Sequence, residues 1–268
     1  MPITSQHIPM PYDEWDLLPY QPGWKVEYWD GCAHITPNYQ TAVTVVEVFP
    51  RPVQAPCELR PMRSADEAVL LPIYLDAFAD NQAFCDFTDE KFREAARQDL
   101  QDGFSGRRAP LLAASRVAVD TSEGQEEVLG AALLSRDESY GAVLDLIFVR
   151  TAWQQQGIAT ALASSALNAL AQEGERQLTS CYQLANVTSQ VWHRAFGFME
   201  LPDLSYARAY YRRARQELHR CDAHGVTAAE DCATLVAEVQ SWKNQIETLE
   251  RSCREQGFEA VHPRRPHW

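Results

Sequence analysis

The chain has no apolar run of the roughly 18 residues that a membrane-spanning helix requires, so no membrane partner is expected. Basic residues are scarce. Twenty-four Lys and Arg face 37 Asp and Glu, for a net charge of -13. General nucleic-acid binding depends on cations set against phosphates, and this balance excludes it. The seven cysteines (Cys32, Cys57, Cys85, Cys181, Cys221, Cys232 and Cys253) contain no C-x-x-C pair. Their odd number and wide spacing predict reduced thiols in a cytoplasmic protein and no metal site. His7, His34, His219, His224, His262 and His267 form no H-E-x-x-H spacing. There is no G-x-S-x-G elbow, no G-x-G-x-x-G fingerprint and no Gly-Lys-Ser/Thr phosphate loop. Met1–Tyr20 has neither a basic start nor an apolar stretch, so it is not read as a signal peptide.

What is present is an ordinary globular composition, 46% apolar and 23% charged, sufficient for a sizeable core. Residues 1–22 are Pro-rich and read as irregular. Trp24–Trp29 and Cys32–Thr36 flank Asp30-Gly31, a two-residue hairpin signal. Thr41–Phe49 is rich in β-branched residues and reads as a third strand, so residues 1–55 are expected to form a β-meander extension. From Cys57 the pattern becomes α/β. Ser64 and Glu67 have the spacing of a capping box. Behind them Val69, Leu70, Ile73, Tyr74 and Ala77 predict one apolar helix face. A second helix is expected over 89–100, then strands over 110–119, 128–134 and 142–149. A helix over 157–171, a strand over 177–184, a helix over 188–196 and a short last strand complete a domain over 56–202.

Residues 203–268 read as a helical extension. Gly225 breaks it, and Thr227–Glu230 has capping-box spacing. Cys232, Leu235, Val239, Trp242, Ile246, Leu249 and Cys253 then form a heptad seam. Such a seam serves either a helix hairpin within one chain or a homodimer through 232–253. The tail over 261–268 shows no pattern.

The most informative stretch is Leu144-Asp-Leu-Ile-Phe-Val-Arg-Thr-Ala-Trp-Gln-Gln-Gln-Gly-Ile-Ala-Thr-Ala-Leu162. It reads as a buried strand, a turn, and Gln154-Gln155-Gln156-Gly157-Ile158-Ala159 opening a long helix. The first N–H groups of a helix have no intrahelical partner, and its dipole end is positive, so anions settle there. Gly157 lets a phosphate approach the backbone, and Thr160 adds a hydroxyl. This stretch resembles the acyl-CoA loop of the GNAT superfamily of N-acetyltransferases, whose pattern is Gln/Arg-x-x-Gly-x-Gly/Ala after a strand. The order of predicted elements over residues 57–201 matches that family's topology.

The resemblance implies an α/β (α+β) fold with a central mixed, mostly antiparallel sheet flanked by helices. It implies acetyl-CoA as co-substrate, with its pyrophosphate on the backbone of Gln155, Gln156, Gly157, Ile158, Ala159 and Thr160. It further implies that Ile147, Phe148 and Val149 pair through their backbones with the pantetheine arm, and that the next strand splays away. Asn186-Val-Thr-Ser-Gln-Val-Trp-His-Arg-Ala-Phe-Gly-Phe198 resembles the family's Asn-x-x-Ala-x-x-Leu-Tyr-x-x-x-Gly-Phe. Asn186 falls at a cofactor-contacting position, and His193 replaces the tyrosine that acts as general acid toward sulfur.

Acetyl transfer to an amine needs a base, because an alkylammonium has a pKa near 10.4. Asp145 interrupts an apolar strand and is the candidate base. Strand alternation puts its side chain on the face of Val143, Ile147 and Val149. Unpaired, a carboxylate there is costly, so it either has a partner or takes part in chemistry. His193 is the candidate acid, since its unperturbed pKa is near 6.5. Asp76, Asp80, Asp86, Asp89 and Glu90 cluster around the early helices, where they serve either as a solvated face or to attract a cationic acceptor. The reading is a cytoplasmic N-acetyltransferase acting on a small-molecule or peptide amine by direct attack in a ternary complex. A non-catalytic acyl-CoA-binding or protein-interaction module is the alternative.

Overall fold

The structure, a computed structural model, describes residues 4–107, 109–122, 124–224 and 229–255. The break at Gly225, the Thr227–Glu230 box, the place of Cys253 in the seam and the tail over 261–268 lie outside what is described. The chain opens with β1 (Gln6–Pro9), a short helix α1 (Tyr12–Asp16) and the hairpin β2 (Trp24–Trp29) and β3 (Cys32–Pro37). β4 (Thr41–Glu47), β5 (Glu58–Pro61), α2 (Glu67–Phe78) and α3 (Asp89–Phe104) follow. Then come β6 (Arg116–Asp120), β7 (Glu127–Asp137), β8 (Gly141–Val149), α4 (Ile158–Gln172) and β9 (Gln177–Gln183). α5 (Val187–Phe196), β10 (Met199–Leu201), α6 (Leu204–His224) and α7 (Ala229–Glu255) complete the order. Among the described residues, no helix is long and apolar enough to cross a membrane.

Two compact units are present. The first gathers the described residues up to Ala42, Gln183–Val187 and the described residues from Leu201 on, so segments far apart in sequence share it. Its sheet has the order β1-β3-β2, antiparallel throughout. The hairpin turns as expected, with Asp30 and Gly31 both at positive φ (51° and 72°). β1 lies in the stretch expected to be irregular; it forms because β3 offers it a full antiparallel register from Gln6↔Ile35 to Pro9↔Cys32. Trp24, Ala33 and Ile35 are buried. In the same unit α7 packs on α6, and Trp242 of the predicted seam lies 5.3 Å from the Tyr210 ring. His219 of α6 meets Asp16 at 2.9 Å.

The second unit holds a seven-stranded sheet of order β10-β4-β9-β8-β7-β6-β5. β5 to β8 pair antiparallel in sequence, and β8 pairs with β9 in parallel. This is the expected mixed, mostly antiparallel sheet. β4, expected in the N-terminal meander, instead runs between β10 and β9. Ala42, Thr44, Val45 and Val46 are buried, and such an apolar, β-branched strand is stable only in the interior of a sheet.

Each face of that sheet is covered by helix. On one side α4 buries Ile158, Leu162, Ala166 and Leu170 against Val46, Leu134, Leu144 and Val149. Burial of each large apolar side chain contributes about 1.5–3 kcal/mol, which outweighs helix propensity here. On the other side α2 and α3 bury Leu70, Ile73, Tyr74, Ala96 and Leu100 against Val117, Leu133 and Phe148. Val69, expected on the buried face, is 44% exposed. The expected capping box at Ser64 and Glu67 is displaced by one residue. The Asp66 carboxylate accepts the Arg63 N–H at 2.7 Å and a bidentate pair from the buried Arg60 at 2.8 Å.

Candidate functional site

The site is built around β8. Its parallel register with β9 covers Ala142↔Leu178, Val143↔Thr179 and Leu144↔Ser180 only. β8 continues to Val149 and β9 to Gln183, and no further pair between them occurs among the described residues. The two strands therefore part after Leu144.

A bulge marks the same point. In the β7–β8 ladder Leu134 faces Leu144 and Leu133 faces Leu146, so Asp145 has no residue opposite it. The extra residue resets the alternation. Leu144, Ile147 and Val149 belong to the α4 side, and Leu146 and Phe148 to the α2–α3 side. The expectation that Asp145 shares a face with Ile147 and Val149 is thus corrected. Asp145 lines a small cavity with Leu146, Ser135, Leu133 and Asp99. Asp99 comes from α3 and accepts the Tyr74 hydroxyl at 3.0 Å. Sequence reasoning missed Asp99, because nothing in a polar helix face marks which carboxylate turns inward.

The far half of β8 is held tightly against β7. A Cβ on Gly130 would lie 2.5 Å from the Phe148 carbonyl oxygen, so only glycine fits this approach. Beyond the strand, the Arg150 N–H donates to the Leu129 carbonyl at 2.8 Å, and Arg150 Nε donates to that of Val128 at 2.9 Å. The Thr151 N–H donates to the Asp76 carboxylate at 2.7 Å. Asp76, one of the acidic residues read as either a solvated face or an attractor of a cationic acceptor, anchors this loop.

The loop enters α4 through two left-handed residues, Gln155 (φ 61°) and Gly157 (φ 84°). Gly157 is the N-cap and offers no side-chain cap. The N–H groups of Ile158, Ala159 and Thr160 begin a helix and have no intrahelical partner. The residues over 154–157 are exposed. Two of the three glutamines hold the loop itself: Gln154 Nε2 donates to the Val149 carbonyl at 3.0 Å, and Gln156 Nε2 to that of Ala152 at 3.3 Å. Phe148 and Val149 are buried.

His193 is 2% exposed. Its Nδ1 lies 2.8 Å from the Ser189 carbonyl and 3.2 Å from the Ser189 hydroxyl. Its Nε2 lies 3.0 Å from Ser180 Oγ. Burial pushes the imidazole pKa down to about 4, against weaker opposing effects of the Ser189 carbonyl and Glu200. At neutral pH the ring is uncharged and both its nitrogens are engaged. Asn186 falls in the first unit, in the turn after β9, where its N–H donates to the Gln183 carbonyl at 2.8 Å. Among the described residues, no group of three His, Cys, Asp or Glu side chains is placed to hold a metal.

Residues 73–198 match the model of the acetyltransferase (GNAT) family. No curated protein matches the sequence. Among solved structures, a GCN5-related N-acetyltransferase from Sphaerobacter thermophilus is 18% identical, with a TM-score of 0.41 over 60% of this chain. The match spans 48% of that protein, about half its length. The PaiA N-acetyltransferase from Thermoplasma acidophilum, in complex with coenzyme A, is 14% identical over 44% of this chain and 73% of its own, with a TM-score of 0.36. An aminoglycoside N-acetyltransferase in complex with CoA is 21% identical over 57% of this chain and 93% of its own, also at 0.36.

Proposed function

Residues 73–198 match the model of the acetyltransferase (GNAT) family, and from that match we propose that the protein is an acetyltransferase that transfers the acetyl group of acetyl-CoA to a primary amine. The acceptor is a small molecule or a peptide. The observation that carries this reading is a coincidence along one strand. β8 parts from β9 after Leu144, and the same strand leads into an uncapped, glycine-initiated helix N-terminus at Gly157. Such a helix end holds an anion, and a strand edge released from its neighbour can pair with an extended amide-bearing chain. Pyrophosphate and pantetheine have these two chemistries, in this order along the molecule.

In this reading the amides from Gln155 to Thr160 bind the pyrophosphate. The backbone of Ile147, Phe148 and Val149 aligns the pantetheine arm. Asp145, at the apex of the split, accepts a proton from the acceptor ammonium. The free amine then attacks the thioester carbonyl in a ternary complex, the C–S bond breaks, and the thiolate leaves to be protonated as CoA.

The second reading is a module that binds acyl-CoA without turning it over. The burial of His193 favours it, because the expected acid toward sulfur is neutral and fully engaged. Release of free thiol from acetyl-CoA in the presence of an amine panel decides between the two. Amine-dependent release supports transfer. CoA binding by calorimetry without amine-dependent release supports the module. Absence of CoA binding removes both.

A further inference from the structure

Ser180 occupies the last register position shared by β8 and β9, opposite Leu144. Its hydroxyl donates to the Leu144 carbonyl at 3.1 Å and lies 3.0 Å from His193 Nε2. The Ser189 carbonyl beside Nδ1 only accepts, so in the neutral ring Nδ1 bears the proton and Nε2 is an acceptor. The single hydroxyl hydrogen of Ser180 is thus shared between a carbonyl of β8 and the imidazole of α5. On its other side the Ser180 carbonyl accepts the Thr44 hydroxyl of β4 at 3.2 Å. Leu144, Ser180, His193 and Thr44 are each at most 2% exposed.

A serine side chain therefore ties β8 to β9 where the ladder ends. One residue further on, Asp145 bulges out of the β7–β8 ladder. We infer that Ser180 and His193 are positioning residues: together they fix where β8 and β9 part, and through Leu144 they set the placement of Asp145 and of the open strand edge beyond it. The claim about the strands stands on geometry alone; its consequence for acetyl-CoA rests on the acetyltransferase reading. Two neighbouring features agree with it. The tie is buried, so water does not compete for it, and it joins three elements through one oxygen.

The test compares the loss of two buried hydroxyls, one on β9 and one on its neighbour β4. Ser180→Ala removes the hydroxyl on the splayed side. Thr44→Val removes a buried hydroxyl bond on the opposite side of β9 and serves as the control for stability alone. In the free protein, amide hydrogen exchange over 145–149 is expected to quicken in Ser180→Ala and to stay at the wild-type rate in Thr44→Val. CoA affinity by calorimetry is expected to fall by about tenfold or more in Ser180→Ala only, the scale at which small misplacements act. Equal exchange over 145–149 in the two variants overturns the inference. His193→Gln offers an amide to Ser180 but no proton-shuttling ring, and His193→Leu offers neither. Retained turnover in His193→Gln with loss in His193→Leu supports positioning. Equal loss in both, with CoA binding intact, marks His193 as an acid and overturns it. If wild-type protein fails to bind CoA, the acetyltransferase reading fails, and the exchange comparison still decides the claim about the strands.

Discussion

Asp76 and Thr151 hold each other twice. The Asp76 carboxylate accepts the Thr151 N–H at 2.7 Å, and the Thr151 hydroxyl donates to the Asp76 carbonyl at 2.8 Å. The C-terminal end of α2 is thereby fastened to the loop that follows β8. Both contacts are exposed, so their net worth is modest, about 1 kcal/mol. Asp76→Ala is expected to lower CoA affinity several-fold with little change in thermal midpoint. Calorimetric titration beside a melting curve checks this, and unchanged affinity rules out a role for the anchor in binding.

Gly157 combines a left-handed backbone with the N-cap of α4. An L side chain at φ 84° costs about 1 kcal/mol and brings a Cβ toward the proposed anion position. Gly157→Ala is expected to weaken CoA binding by about tenfold or more, beyond its effect on stability. Gln155, also left-handed at φ 61°, gives the opposite case: Gln155→Gly relieves strain and should leave affinity near the wild-type value. Titrating both variants with CoA tests the pair of expectations together.

Gly130 admits no side chain, since its Cβ would meet the Phe148 carbonyl oxygen at 2.5 Å and the Val149 Cα at 3.0 Å. Both are backbone atoms of the neighbouring strand and cannot rotate away. Gly130→Ala should therefore destabilise the protein by about 2 kcal/mol or more. Urea denaturation measures it; a loss under about 0.5 kcal/mol would mean that β7 and β8 separate at little cost.

Much of the fold was legible in the sequence because its signals are local. The Asp30-Gly31 hairpin, the α4 spacing of Ile158, Leu162, Ala166 and Leu170, and the strand-to-helix passage at Gly157 each depend on neighbours a few residues away. What stayed illegible depends on distant partners. The bulge at Asp145 exists because β7 supplies no residue opposite it, and alternation along β8 alone could not reveal that. Nor does α5 by itself disclose that His193 meets Ser180 rather than solvent. α1 and α6 meet in one unit through Asp16 and His219, separated by most of the sequence. A lone glycine inside the apolar run Val128–Leu134 was a usable sign of close backbone approach that the strand pattern overshadowed.

Asp145→Asn keeps the shape of the bulge and removes the proposed base. Turnover with an amine acceptor is expected to fall by about 10²–10⁴-fold, the usual worth of general base catalysis, while CoA affinity stays within about threefold. The remaining activity should rise with pH, as free amine becomes available without help. Wild-type turnover in Asp145→Asn would assign the proton to water or to another group.

Acid should weaken the fold through His193. Its folded pKa of about 4 lies below the 6.5 of a free imidazole, because burial disfavours the charged ring. Between those values the unfolded chain binds the additional proton, so stability rises with pH across the window. The contribution is complete above about pH 6.5 and is lost as pH falls toward about 4, a change of up to roughly 3 kcal/mol. Urea midpoints at several pH values for wild type and His193→Gln isolate this effect from the carboxylates. Parallel pH curves for the two proteins would mean that the ring is not buried as described.

The bulge at Asp145 also has a consequence for how this domain could be lost. Leu144 and Leu146 face consecutive residues of β7, so the β7–β8 register passes over Asp145. Removing that one residue would leave an unbroken β8 with the same partners on β7 and the same leucines facing them. A single-codon deletion could produce a well-formed descendant of this domain that no longer carries the carboxylate at the apex of the split.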